Sequence, residues 1–172
     1  MSWQFNGLPL HPLLVHVVVV LLPLAALMLV LGSVWPAARR RFGVLTPIVA
    51  LIALVGVPLA TQAGEALERQ SEESAALERH AELGDHLLPW AVALFVIAAA
   101  QWLWLRRSAA RSGGEGSPRR RPVVGIVLAV AAIAVSAGSV VNVVQIGDTG
   151  AQAVWSTPDT STTGGPAADA DD

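Results

Sequence analysis

The stretch Leu13–Val34 reads LLVHVVVVLLPLAALMLVLGSV. A helix crossing a hydrocarbon core about 30 Å thick needs about 20 apolar residues. This run supplies them with one ionisable interruption, His16, before Gly32 and Ser33 near its end. A buried strand is apolar over only about four to eight residues, so the length selects a transmembrane helix. Three further segments repeat the pattern. Residues 42–63 are apolar except at the ends, 87–105 are apolar up to Gln101, and 123–144 are broken only by Ser136, Ser139 and Asn142. None of the four contains Asp, Glu or Arg. The expectation is an all-α fold, a polytopic membrane four-helix bundle occupying residues 7–155.

The span ends carry matching signals. Pro12 suits the first turn of the first span and Pro47 the start of the second. Trp35, Trp90, Trp102 and Trp104 fall near span ends, where an amphipathic ring favours the headgroup level. Pro23 and Pro58 lie inside spans and read as local bends, which membrane helices tolerate. In the fourth span Gly125, Ala129, Ala132, Ser136 and Ser139 form a stripe of small residues, suited to close packing within the bundle or to a homodimer face.

Composition agrees with the spans. The 172 residues are 53% hydrophobic and 14% charged, against roughly 25% charged in a soluble domain. So few charges could not cover the surface of a soluble enzyme. There is no Cys, which excludes disulfides, thiolate nucleophiles and thiolate metal sites. A net charge of −2 makes nucleic acid a poor partner. The charges are sorted, however. Nine of the 11 basic residues, all Arg, lie in the loops 35–46 and 106–122. Twelve of the 13 acids lie in 62–86 and in the C-terminal tail. The positive-inside rule then places the arginine loops in the cytoplasm and both termini outside the plasma membrane. The bases follow the first apolar run rather than precede it, so that run reads as a span and not as a cleaved signal peptide.

Between the second and third spans, residues 64–84 are polar and rich in helix formers, which predicts an external helix broken at Gly84-Asp85, with Asp85 as an N-cap. The stretch 111–122 reads as a flexible loop. The acidic tail 156–172 has little to bury and reads as disordered.

The chemistry-bearing residues gather at the acidic side. His11 and His16 open the first span, His80 lies on the external helix, and His86 opens the third span. Gln62, Asn142, Gln145 and Asp148 add a polar layer at the same level. Imidazole is the commonest side-chain ligand for transition metals and haem, and it titrates near neutral pH. Three readings fit: a transition metal or b-type haem held by converging imidazoles, a proton or small-molecule site, or separate histidines that cap helix ends. The spacing of no pair selects among them. With Pro12 at the first helical position, His11 would stand just outside the helix and bend back. No catalytic motif of a recognised kind is present. A non-enzymatic accessory or scaffold subunit without a cofactor, with a membrane-protein partner or a second copy, is the rival to a cofactor-binding protein.

The opening Gly7-Leu8-Pro9-Leu10-His11-Pro12-Leu13-Leu14-Val15-His16 resembles the start of the bacterial membrane-protein family designated domain of unknown function 2231, with its H-P-L-L-V-H signature. His80-Ala81-Glu82-Leu83-Gly84 is similar to that family's H-x-x-L-G segment. Residues 147–155 are similar to its G-H-S-G-A-x-A-V-W segment, except that Asp148 stands where the pattern has His. The resemblance implies a four-helix membrane domain and no established activity. If the family's histidines bind a metal, Asp148 can ligate through oxygen but is a poor haem ligand, and His86 is the substitute.

Overall fold

A computed structural model describes residues 4–5, 8–69, 75–110 and 120–155. The chain opens with a two-residue antiparallel pair, β1 (Gln4–Phe5) with β2 (Leu8–Pro9). Among the described residues six helices follow: α1 (Leu10–Val34), α2 (Pro36–Phe42), α3 (Leu45–Glu68), α4 (Ala75–Asp85), α5 (Leu87–Ala110) and α6 (Arg120–Trp155). Four of them, α1, α3, α5 and α6, contain stretches long and apolar enough to cross a membrane. They pack in a closed ring, α1 on α3, α3 on α5, α5 on α6 and α6 on α1. This is the up-and-down order that short connections between antiparallel neighbours impose.

Small residues set how closely the helices approach. Ala25, Ala26, Ala50, Ala53, Ala91, Ala98 and Ala132 are buried around Leu22, Leu29 and Leu94. Ser136 and Ser139 are buried beside Ala132, so part of the fourth-span stripe turns into the bundle. Ser136 Oγ donates to Ala26 O at 3.2 Å, tying α6 to α1. A Cβ on Gly125 would lie 3.1 Å from the Trp104 ring, and one on Gly138 would lie 2.1 Å from Trp90 Cζ3. Those glycines are notches into which α5 inserts indole rings. The exposed belt is made instead of large residues, among them Val20, Leu27, Val55, Val96, Ile126, Val127 and Val130.

The helices differ in extent from the sequence expectation. The helix of the first span starts at Leu10, so His11 lies within it and Pro12 is its third residue. The first connection contains the short helix α2, started by Pro36 and ended at Gly43, whose φ of 45° is a left-handed conformation suited to glycine. The external helix does not break at Gly84-Asp85: both belong to α4, and the turn falls on His86. Arg120, Arg121 and Pro122 begin α6 rather than ending a loop; residues 111–119 and the tail 156–172 lie outside the described residues. Finally, α6 runs past the fourth span to Trp155. Its 36 residues at a rise of 1.5 Å each extend for about 54 Å, well beyond the hydrocarbon thickness. The surplus has a partner, because α4 packs against α6.

Candidate functional site

Where α4 meets α6, the ends of α1 and α3 complete a cavity of about 380 Å³, within the usual range for ligand pockets of about 300–1,000 Å³. Val15, Val18, Val57 and Val143 give it an apolar wall. His11 from α1 and His80 from α4 line it, with Glu65, Glu68 and Asp85 also among the lining residues. The two imidazoles stand 6.3 Å apart between ring centroids, with their planes at 90°.

Each imidazole is seated in the same way. His11 Nδ1 lies 2.9 Å from Ala60 O, and a Cβ on Gly64, one turn further along α3, would come within 2.9 Å of His11 Cε1. His80 Nδ1 lies 3.0 Å from Ile146 O, and a Cβ on Gly150, one turn further along α6, would come within 3.0 Å of His80 Cε1. Each ring therefore lies over a glycine and donates to the carbonyl four residues before it. A carbonyl oxygen can only accept, so Nδ1 carries the hydrogen in both rings. In the neutral imidazole Nε2 then keeps its lone pair. Thr149 supports the second seat, its Oγ1 3.4 Å from His80 Nδ1 and donating to Ile146 O at 3.1 Å.

His80 belongs to α4, whose Glu78, Arg79, Glu82 and Asp85 keep it out of the apolar spans. Burial holds the His80 imidazole below its ordinary pKa, with His11 acting in the same direction; the bond to Ile146 and the Glu68 carboxylate oppose this. The net direction favours the neutral ring.

The other expected residues do not join the pair. His16 is exposed, its Nδ1 turned back to Pro12 O on its own helix. It lies five residues from His11, about 140° around an ideal helix at 3.6 residues per turn. His86 is exposed and bonded to Glu82 O at 2.7 Å. Asp148, Gln62 and Gln145 are exposed. Asn142 is half-buried, and among the described residues its Oδ1 has no hydrogen-bond partner. Among the described residues no group of three or more His, Asp or Glu is placed to hold a metal ion. The sequence reading passed over Gly64, Gly150 and Thr149. A glycine inside a helix costs about 1 kcal/mol relative to Ala, and that cost was the available signal of a packing role.

Fold and site together define a four-span helical membrane protein with a pair of imidazoles in a pocket at one end. The sequence model of the family described as "Predicted membrane protein (DUF2231)" matches residues 7–160, and the chain belongs to that family. No curated protein and no solved structure matches it.

Proposed function

We propose that the pocket at the histidine end binds a metal-centred cofactor, b-type haem before a bare transition-metal ion, through His11 and His80. The observation that carries this reading is the shared seat of the two rings. A ligating histidine nearly always donates its other N–H to a carbonyl or carboxylate, which fixes the tautomer and the ring orientation. Both imidazoles already make that bond.

The ligand count supports haem. A structural zinc site takes four protein ligands and a catalytic one three, whereas a haem needs no more than two from the protein, and His11 and His80 would be those two. Distance supports it too. Nitrogens at 2.0–2.1 Å from one ion are at most about 4 Å apart, and each ring centre lies roughly 1 Å behind its nitrogen, which limits the centroid separation to roughly 6–6.5 Å. The observed 6.3 Å lies within that limit, so one metal-centred group could meet both imidazoles. The bound group would supply redox chemistry; the chain's own part is to present two oriented imidazoles beside the apolar wall of Val15, Val18, Val57 and Val143. In the proposed orientation the arginine end faces the bacterial cytoplasm and the site faces outward. His16, His86 and Asp148 stand outside the two-ligand set.

The test is to purify the protein from cells supplied with iron and haem, then to record visible spectra and metal content. The reading predicts a Soret band that His11→Ala or His80→Ala removes and that His16→Ala keeps. A colourless, metal-free preparation would refute it.

One observation favours a partner as well. His16 shares its face of α1 with exposed Leu13, Val17 and Val20, although an imidazole near hydrocarbon is costly and ordinarily turns inward. We propose that a second copy or another membrane protein covers this face. Cross-linking from residue 17 in native membranes should trap it, and only monomer at every reagent dose would exclude it.

A further inference from the structure

At the opposite end of the bundle, the close of α1, the helix α2, the start of α3 and the close of α5 surround a second cavity of about 360 Å³. Among the described residues its lining includes Arg39, Arg40 and Arg106 and no carboxylate. The guanidiniums are held in different ways. Arg39 is committed to the end of α1, its Nε donating to Gly32 O at 2.9 Å and its Nη2 to Ser33 O at 2.8 Å. It thereby complements the partial negative charge of that helix terminus. Arg106 lies over the Trp102 ring, 5.4 Å from its centroid. Arg40 is exposed on the last turn of α2. The inner wall is polar and anchored: Thr46 and Gln101 are buried, and Gln101 Nε2 donates to Ser33 Oγ at 2.7 Å.

We propose that this pocket binds the phosphate group of an anionic phospholipid. Guanidinium pairs with phosphate through a planar fork of donors, and basic pockets between spans recognise acidic headgroups. Among the described lining residues no carboxylate competes for Arg40 and Arg106. Trp35, Val44 and Leu45, which lie in the chain between the lining residues Gly32 and Thr46, are exposed and apolar. A lipid would lay acyl chains along such residues, whereas a soluble phosphate would leave them uncovered. Trp35 and Trp102 also suit the headgroup level. The site lies at the far end of the bundle from the imidazole pair and stands whether or not that pair holds a cofactor.

The experiment uses the full chain in detergent, with native mass spectrometry and thermal unfolding as readouts. Phosphatidylglycerol, phosphatidylcholine and inorganic phosphate are added separately. Phosphatidylglycerol should be retained preferentially and should raise the unfolding midpoint. Losing a charge-assisted hydrogen bond to phosphate costs about tenfold or more in affinity, so Arg40→Gln with Arg106→Gln should weaken phosphatidylglycerol binding by at least roughly tenfold. Arg107→Gln, outside the pocket lining, should leave binding unchanged, and circular dichroism checks that all variants keep their helices. Arg39 is left intact because it caps α1. Equal retention of phosphatidylcholine, or an equal loss in Arg107→Gln, would overturn the proposal. Stabilisation by inorganic phosphate as strong as that by phosphatidylglycerol would overturn the assignment to lipid.

Discussion

Placing a single methyl group under each imidazole separates the proposed ligand site from the stability of the fold. In Gly64→Ala the new carbon would stand 2.9 Å from His11 Cε1 and 3.0 Å from its Nδ1. Carbon atoms rest at about 3.5–4.0 Å, so the ring must retreat by roughly 0.6 Å or more. That retreat carries Nδ1 from 2.9 Å towards about 3.5 Å from Ala60 O, beyond the usual hydrogen-bond range. Losing the bond costs about 0.5–1.5 kcal/mol. Replacing a helical glycine by alanine returns about 0.8–1.0 kcal/mol. The two nearly cancel, so thermal unfolding should move little. Binding should not be spared, because removing the group that orients a ligating histidine costs about 10–100-fold in affinity. Gly150→Ala should behave alike through His80. Haem titration followed by Soret absorbance, beside a thermal melt of each variant, reads both quantities. If Gly64→Ala with Gly150→Ala binds haem as tightly as the parent, the glycine seats do not orient ligands and the reasoning fails. A collapse of the melting temperature would show that the seats serve packing first.

Other outcomes follow from the same geometry. The folded state depresses the His80 pKa, so the unfolded chain binds more protons in the window between the folded value and about 6.5. Stability is therefore complete above that window and falls as pH drops through it. Unfolding midpoints should decline from pH 7 towards pH 5 and should decline less in His80→Gln; identical slopes would rule out this residue. Gly138→Ala would place a carbon 2.1 Å from Trp90 Cζ3, and overpacking of this kind costs about 1–3 kcal/mol. Thermal unfolding should show the loss and its recovery on adding Trp90→Leu, and an unshifted single variant would contradict the notch. Gln101→Leu removes the donor to Ser33 Oγ and leaves a half-buried hydroxyl with one fewer partner, so a destabilisation of about 1 kcal/mol should appear in the same melts.

The membrane architecture was legible because it depends on sums over many residues. No local accident could change the meaning of LLVHVVVVLLPLAALMLVLGSV, and the sorting of Arg from Asp and Glu marked two distinct ends. The stripe through Ala132, Ser136 and Ser139 was legible for the same reason. The site was only half legible. Four histidines at one end were visible, but which two meet depends on helical phase. Starting α1 at Leu10 instead of Pro12 brings His11 onto the helix, about 140° around from His16, a difference of one or two residues that capping signals do not resolve. The length of α6 was missed because apolar content ends at Val144, while the helix is continued by the docking of α4 over Ile146, Thr149 and Gly150. The short helix α2 was missed because its Pro-Ala-Ala-Arg-Arg-Arg-Phe sequence carries more charge signal than periodicity.

Alanines and serines fill much of the bundle's interior around a few buried leucines, and large aliphatic residues make its exterior. In a water-soluble protein, drift accumulates on the outside and bulk is guarded within. Here the guarded property is smallness. Growth of Ala53 or Ala91, both almost fully buried, would push whole helices apart. By contrast, Val127 or Ile126, largely exposed, can exchange among aliphatic types with little consequence. Homologues of this chain should therefore vary freely in the identity of their bulky residues while holding the positions of their alanines, glycines and serines. Residue volume, more than residue hydrophobicity, is the quantity by which distant members of such a bundle should be aligned.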